Sequence, residues 1–345
     1  MINDILKKKN LEAIIITSPE NLYYFSGFTG GEGLLVFTPE KKYIIVDGRY
    51  TIQAKEQTKD FKVIEYKILP YKIIADMRFD KIGFEDKTIS YNSFKMMSRA
   101  MPAVTTIGVS DELNEFRKVK NEEECKNIRR AEQICDMAFE HILTFIKPGI
   151  TEREIALELE YFMKKQGASA LSFDTIIAVG ERSALPHANL TDTKVEDGKV
   201  VLMDFGCVYN GYCSDMTRTV AVGSADDKTK NIYDTVLKAQ LEALGAIKAG
   251  MYNKEVDKIA RDIIADAGYG DNFNHSLGHG VGLEIHEQPN LSPRSEDILK
   301  KGNILTVEPG IYVEGFCGIR IEDLVLVTED GCENFTHSLK DFIIL

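Results

Sequence analysis

The stretch VVLMDFGCVYNGYCSDMTRTVAV, residues 200–222, decides how the chemically informative half of the chain folds. Two apolar runs flank Asn210-Gly211, the dipeptide that most favours a two-residue type I′ turn. With that turn in place, Asp215 lies opposite Gly206, and Gly206 shares a sheet face with Asp204, two residues away. Asp204 and Asp215 become diagonal cross-strand neighbours, roughly 7–8 Å apart at their α-carbons. Gly206 is expected to leave the space between their carboxyl tips open. Two carboxylates this close on apolar strands repel and drive one pKa upward, and a bound cation relieves that. The plainer alternative is a hairpin with two solvated aspartates on its polar face. The stretch by itself does not separate the two.

The bulk composition narrows the setting. The chain has 345 residues, enough for two domains or one large one, with 44% apolar and 28% charged residues, the balance of a soluble globular protein. Its 42 basic against 54 acidic residues give a net charge of −12. That argues against a nucleic-acid backbone or an anionic membrane as partner. No apolar run reaches the roughly 18 residues of a membrane span. The opening MINDILKKKN lacks the pattern of a secretory signal, so a cytoplasmic location is expected. The six cysteines (125, 135, 207, 213, 317 and 332) form no CxxC pair and no zinc-ribbon spacing; buried free thiols are the expected reading.

Residues 1–115 read as an alternating α/β unit. Strands are expected at 13–17, 34–38, 43–47, 61–66 and 81–84, and helical stretches at 19–24, 50–57 and 93–100. The segment Gly30-Gly31-Glu32-Gly33 does not match a phosphate-binding glycine loop and is read as an ordinary loop. A boundary is placed between residues 110 and 120. Beyond it, Asn121 with Glu124 opens a long amphipathic helix that Pro148-Gly149 stops, and Thr151 with Glu154 opens a second one. A strand at 172–178, a loop with His187 and the hairpin follow. Two more helices, near 228–249 and 254–267, lead to a glycine-rich segment at 275–287. The end of the chain is mostly β, at 303–307, 310–314 and 318–328. The two halves of this region echo one another faintly, each with helices followed by strands bearing paired acids.

The segment HSLGHGVGLEIHE holds His275, His279 and His286. Its three glycines argue against a helix and against a zinc-binding HExxH pair, while allowing backbone to approach a ligand closely. Glu308, in TVEPGIY, follows a buried strand, and Pro309 must interrupt the ladder there. In GIRIED, Arg320 and Glu322 share one face. The set is four carboxylates (Asp204, Asp215, Glu308, Glu322) and one imidazole (His279). It is too oxygen-rich for a structural zinc and suits two divalent cations bridged by shared carboxylates. Manganese or cobalt fits best, with zinc or ferrous iron as alternatives.

These motifs resemble the pita-bread metallopeptidases: methionine aminopeptidase, aminopeptidase P, prolidase and creatinase. The residues that carry the resemblance are MDFG around Asp204, SDMTRT around Asp215, GHGVGLEIHE around His279 and His286, VEPGIY around Glu308 and RIED around Glu322. More loosely, SPENLYYFSGF and DGRY resemble the N-terminal domain of the proline-directed members. The resemblance implies an α/β creatinase-like domain over 1–115 and an α+β pita-bread catalytic domain over 116–345.

It further implies that Asp204 holds one metal, His279 and Glu308 the other, and that Asp215 and Glu322 bridge them. His187 would donate to the developing oxyanion, Glu308 would shuttle the proton, and His286 would position the proline side. Arg320 is expected to orient Glu322, with contact to a substrate carboxylate as the alternative. The implied activity is hydrolysis of the Xaa-Pro bond in proline-containing peptides or dipeptides, by a homodimer. A methionine aminopeptidase-like enzyme and a non-catalytic peptide-binding module are the competing readings. The sequence leaves open the choice between dipeptidase and aminopeptidase.

Overall fold

The computed structural model describes residues 2–345, and the chain divides into two compact units between Arg117 and Lys118. In the first unit, α1 (Ile2–Lys9), β1 (Ala13–Ile16), α2 (Pro19–Ser26), β2 (Leu34–Phe37), β3 (Lys42–Asp47) and α3 (Thr51–Gln57) come first. They are followed by β4 (Lys62–Tyr66), α4 (Pro70–Asp76), β5 (Lys81–Phe84), α5 (Tyr91–Ala100), β6 (Thr105–Gly108) and α6 (Ser110–Lys118). The six strands form one mixed sheet in the order β4-β3-β2-β1-β5-β6. Strands β1 and β2 are buried throughout, which is why they read as unbroken apolar runs rather than alternating ones. Helix α2 shows both end signals. The Ser18 hydroxyl accepts from the Asn21 amide, Pro19 takes the first turn, and Gly27 closes the helix at φ 74°.

The second unit opens with α7 (Glu122–Leu143) and α8 (Glu152–Lys165). Both carry complete capping boxes, Asn121 with Glu124 and Thr151 with Glu154. Then come β7 (Ala170–Leu171), β8 (Ile176–Val179), a 3₁₀ turn at Gly180–Ala184, β9 (Val200–Phe205), β10 (Cys207–Tyr209), β11 (Tyr212–Cys213) and β12 (Met216–Ala221). Helices α9 (Asp227–Ala246) and α10 (Asn253–Asp266) precede β13 (Gly278–Gly280), β14 (Glu287–Leu291), β15 (Ile304–Val307), β16 (Gly310–Val313), β17 (Cys317–Arg320), β18 (Asp323–Val327) and β19 (Cys332–Asn334).

The hairpin register is the expected one: Val208 pairs with Cys213, Thr217 with Asp204 and Ala221 with Val200. Asn210 (φ 49°) and Gly211 (φ 84°) form its turn with positive φ at both central positions. The arms nevertheless split at Gly206 and Asp215. The base pairs with β8, and the tip pairs with β7. Gly206 has a different reason from the expected one. A Cβ there would stand 2.1 Å from the Ser214 carbonyl oxygen, so the glycine lets two backbones approach rather than clearing room for carboxylates.

Two expected strands are corrected. The run at 172–178 is a strand only over Ile176–Val179. The run at 318–328 breaks at Ile321-Glu322, where the chain leaves the two-stranded sheet β16-β17 and joins the five-stranded sheet β14-β13-β15-β18-β19. Its apolar residues gave no hint of the switch.

Strand parity explains where chemistry can sit. Val201, Met203 and Phe205 of β9, with Met216 and Val220 of β12, pack in one core with Ile134 and Phe139 of α7 and Leu159 of α8. Leu305, Val307, Ile319, Ile321 and Val325 pack in a second core with Val236 of α9 and Val256 of α10. Side chains alternate along a strand, so Asp204, Asp215, Glu308 and Glu322 fall on the face turned away from the helices in both halves. Among the described residues no helix is long and apolar enough to cross a membrane.

Candidate metal centre

The sheet faces turned away from the helices bound a cavity of about 790 Å³ whose wall includes His187, Asp204, Asp215, His279, His286, Glu308, Arg320 and Glu322. Every site residue singled out in the sequence therefore lies on one cavity. Three of them are closest together: ligand atoms of Asp215, His279 and Glu322 all lie within 4.8 Å of one another. His279 Nε2 is 3.4 Å from an oxygen of Asp215 and 3.4 Å from an oxygen of Glu308.

The positions follow from interrupted strands. Asp215 sits where β11 ends and β12 begins, Glu308 between β15 and β16, and Glu322 between β17 and β18. A carboxylate at such a break is released from the ladder while its neighbours fix the backbone. The His279 segment is held by close approach. A Cβ on Gly278 would meet the Thr306 carbonyl oxygen at 1.9 Å, and the Thr306 hydroxyl accepts from the His279 amide.

The electrostatics are those of a cation site. Burial, then Asp204, Glu308 and Glu132, push the Asp215 carboxyl well above the usual range. Burial, then Asp215, Glu308 and Asp204, do the same to Glu322, and burial raises Glu308. Asp204 Oδ1 and Glu322 Oε1 are buried with no hydrogen-bond partner among the described residues, an arrangement that is costly unless something positive meets them. His279 Nδ1 lies 3.1 Å from the Gly280 carbonyl oxygen, which only accepts, so Nδ1 carries the hydrogen. Nε2 faces the two carboxylates, where the lone pair of a neutral imidazole is placed to meet a metal. The donor set fits divalent cations.

Two of the other oxygens are anchored by threonine hydroxyls. The Thr217 hydroxyl donates to Glu322 Oε2 at 2.6 Å, and the Thr306 hydroxyl to Glu308 Oε1 at 3.2 Å. Arg320 reaches Glu322, its expected partner, only through the Thr217 hydroxyl. Its guanidinium donates to Asp204 Oδ2 at 2.5 Å, to the Tyr312 hydroxyl at 2.8 Å and to the Thr217 hydroxyl at 3.0 Å, and makes no hydrogen bond to Glu322. β17 and β9 pack against each other, which brings the guanidinium fork onto Asp204. The Tyr312 hydroxyl also meets His275 Nε2 at 2.9 Å, so His275-Tyr312-Arg320-Asp204 forms one chain of polar contacts.

Neither His275 nor Tyr312 had been given a role from sequence. Tyr312 reads as an ordinary strand aromatic in GIYV, and its partners are distant in the chain. Burial pushes His275 down to about 4 and Tyr312 up to about 12, so both are neutral at pH 7. His286 is exposed at the cavity, its ring centroid 4.4 Å from that of His279; burial, then His279, lower its pKa. His187 is exposed on the opposite loop.

Known proteins share this architecture. The chain is 41% identical over 342 residues to the Xaa-Pro dipeptidase of Pyrococcus furiosus, covering 98% of this chain and 97% of that protein. It superposes on the solved Xaa-Pro dipeptidase from Bacillus anthracis with a TM-score of 0.96 at 43% identity, covering 99% of this chain and 97% of the other. The X-Pro aminopeptidase from Thermotoga maritima gives a TM-score of 0.90 at 41% identity, with 97% and 98% covered. The creatinase/prolidase N-terminal domain matches residues 2–119, and metallopeptidase family M24 matches residues 126–329. With a full-length likeness and a carboxylate-lined cavity built for cations, the chain belongs to metallopeptidase family M24.

Proposed function

We propose that this enzyme is a dinuclear exopeptidase that hydrolyses the bond between an N-terminal residue and proline, with manganese as the working metal. The observation that carries the reading is the pair of orphaned buried oxygens, Asp204 Oδ1 and Glu322 Oε1, on a wall shared with Asp215, Glu308 and His279. In this assignment Asp204, Asp215, His279, Glu308 and Glu322 would hold the ions, Asp204 at one end of the set and His279 with Glu308 at the other. Divalent ions bound there would supply Lewis acidity toward water and the scissile carbonyl.

The chain's own residues do the rest. Glu308 accepts a proton from the attacking water and returns it to the departing proline nitrogen, which needs protonation to leave. His187 donates a hydrogen bond to the carbonyl oxygen as charge builds there. His286 packs against the proline side of the substrate. Arg320 orients Asp204, and Tyr312 holds the guanidinium in turn. An oxygen-dominated donor set with one nitrogen favours manganese over softer choices. The relatives named for dipeptidase and for aminopeptidase activity stand at similar identity, so the assignment is Xaa-Pro hydrolysis with chain-length preference left to experiment; the cytoplasmic homodimer in this reading rests on the charge and family resemblance of the sequence alone.

The test compares Ala-Pro, Ala-Pro-Ala and Met-Ala-Ser as substrates after chelation and reloading with manganese. Cleavage of one or both proline peptides is expected, with activity lost on chelation and lost together with bound metal in Asp215→Asn. Preference for Met-Ala-Ser, or full turnover by Asp215→Asn, would overturn the reading.

A further inference from the structure

His187 stands on an exposed loop and has no hydrogen-bond partner among the described residues, so its aim must come from its backbone. Arg320 Nη1 donates to the Pro186 carbonyl oxygen at 3.5 Å, and the two ends of the loop are braced from one further place. Glu152, the first residue of α8, is fully buried, and its two carboxylate oxygens grip both ends of the loop. Oε1 accepts from the Val179 amide at 3.0 Å and from Arg182 Nε at 2.8 Å. Oε2 accepts from the Thr191 amide at 3.0 Å and from the Thr191 hydroxyl at 2.6 Å. Arg182 closes the loop by donating to the Asn189 carbonyl oxygen at 2.6 Å. The Ser183 hydroxyl donates to the Gly180 carbonyl oxygen and accepts from the Gly318 amide at 2.7 Å, tying the same loop to β17, two residues before Arg320. The segment between these anchors carries His187.

We propose that Glu152 is a positioning residue for His187, setting the reach of the imidazole into the cavity without touching substrate. The inference rests on the proposed peptidase reading for its catalytic consequence, but not for the brace itself. Four charge-assisted hydrogen bonds converge on one desolvated carboxylate. A capping box already satisfies the start of α8 through Thr151 and Glu154, so Glu152 is not needed there as a cap. An amide at this position retains one acceptor oxygen and places donors against the amide or guanidinium hydrogens of the other partners. One end of the loop is then released.

The experiment is a double-mutant cycle on the metal-loaded enzyme with Glu152→Gln, His187→Ala and both together, read as kcat/KM on the better of Ala-Pro and Ala-Pro-Ala. Residues acting through one another are non-additive. Glu152→Gln is expected to lower kcat/KM about tenfold, mostly in kcat, when His187 is present, and less than about twofold when it is absent. Thr191→Val removes the 2.6 Å hydroxyl contact to Glu152 together with that hydroxyl's contacts to Thr193 and should show a smaller loss of the same pattern if Glu152→Gln does not fold. Equal losses in both backgrounds, or a full-activity His187→Ala, would overturn the proposal. Amide hydrogen exchange over residues 180–191 gives a reading independent of activity: it should rise in the variant while α8 stays protected. Unchanged exchange sinks the brace even if the enzyme hydrolyses Xaa-Pro bonds. Raised exchange in a chain that hydrolyses none would leave the brace standing and overturn the peptidase reading, and with it the catalytic part of the proposal.

Discussion

A Cβ built on Gly206 would stand 2.1 Å from the Ser214 carbonyl oxygen and 3.0 Å from the Phe173 ring. Ser214 leads directly into Asp215, so any relief of that clash moves a carboxylate that faces the cavity. Gly206→Ala is expected to destabilise the protein by about 1–3 kcal/mol and to lower metal retention, checked by urea midpoint and by bound metal after dialysis. A wild-type midpoint would show that the close approach is dispensable. At this scale the sequence was informative wherever a charged or proline residue interrupted an apolar run, which is how Asp204, Asp215, Glu308 and Glu322 stood out. It was silent on pairing across long separations. Arg320 is 116 residues from Asp204, and Tyr312 is 37 from His275, and no local pattern encodes either contact.

Helices with explicit end signals were legible, as were α3 and α10 without a side-chain cap, whereas α1 and α4 were not. Asn121 and Glu124 marked α7 well enough to predict its start, and the structure shows both halves of the box, with Glu124 also accepting from the Tyr212 hydroxyl at 3.1 Å. Asn121→Ala should lower stability by about 1 kcal/mol, measured as a shift in urea midpoint at unchanged slope and with kcat preserved. By contrast α1 is a short basic-ended segment with few buried positions, and α4 starts at Leu69-Pro70 with no side-chain cap. Neither gives a periodic signal long enough to notice. Strands failed differently. Residues 318–328 keep their alternation through a change of sheet because β17 and β18 both bury odd-numbered residues in the same core. Periodicity reports a face, and it does not report the neighbour on that face.

Taken whole, the metal-free molecule carries a concentrated acidic stress. Asp215, Glu322, Glu308 and Glu132 all have carboxyls raised by burial first. A raised folded pKa means that the native state holds protons the unfolded chain has released, so stability falls as pH rises through that window. The buried neutral His275, lowered to about 4, acts oppositely, but its contribution is complete once pH exceeds the ordinary histidine range near 6.5. Between pH 6.5 and 8.5 the chelated protein is therefore expected to lose thermal stability with rising pH, whereas manganese should raise the melting temperature, most at the upper end. Differential scanning calorimetry at both pH values, with and without metal, checks this. A chelated protein that gains stability over that interval would contradict the ionisation pattern. Strand parity adds a further consequence. The acids lie on the faces that the helical cores do not use, so inheritance of the scaffold and inheritance of the chemistry are separable. A descendant whose acidic positions drifted to neutral side chains would shed mutual repulsion, keep both cores, and persist as a folded protein free to acquire some other occupation.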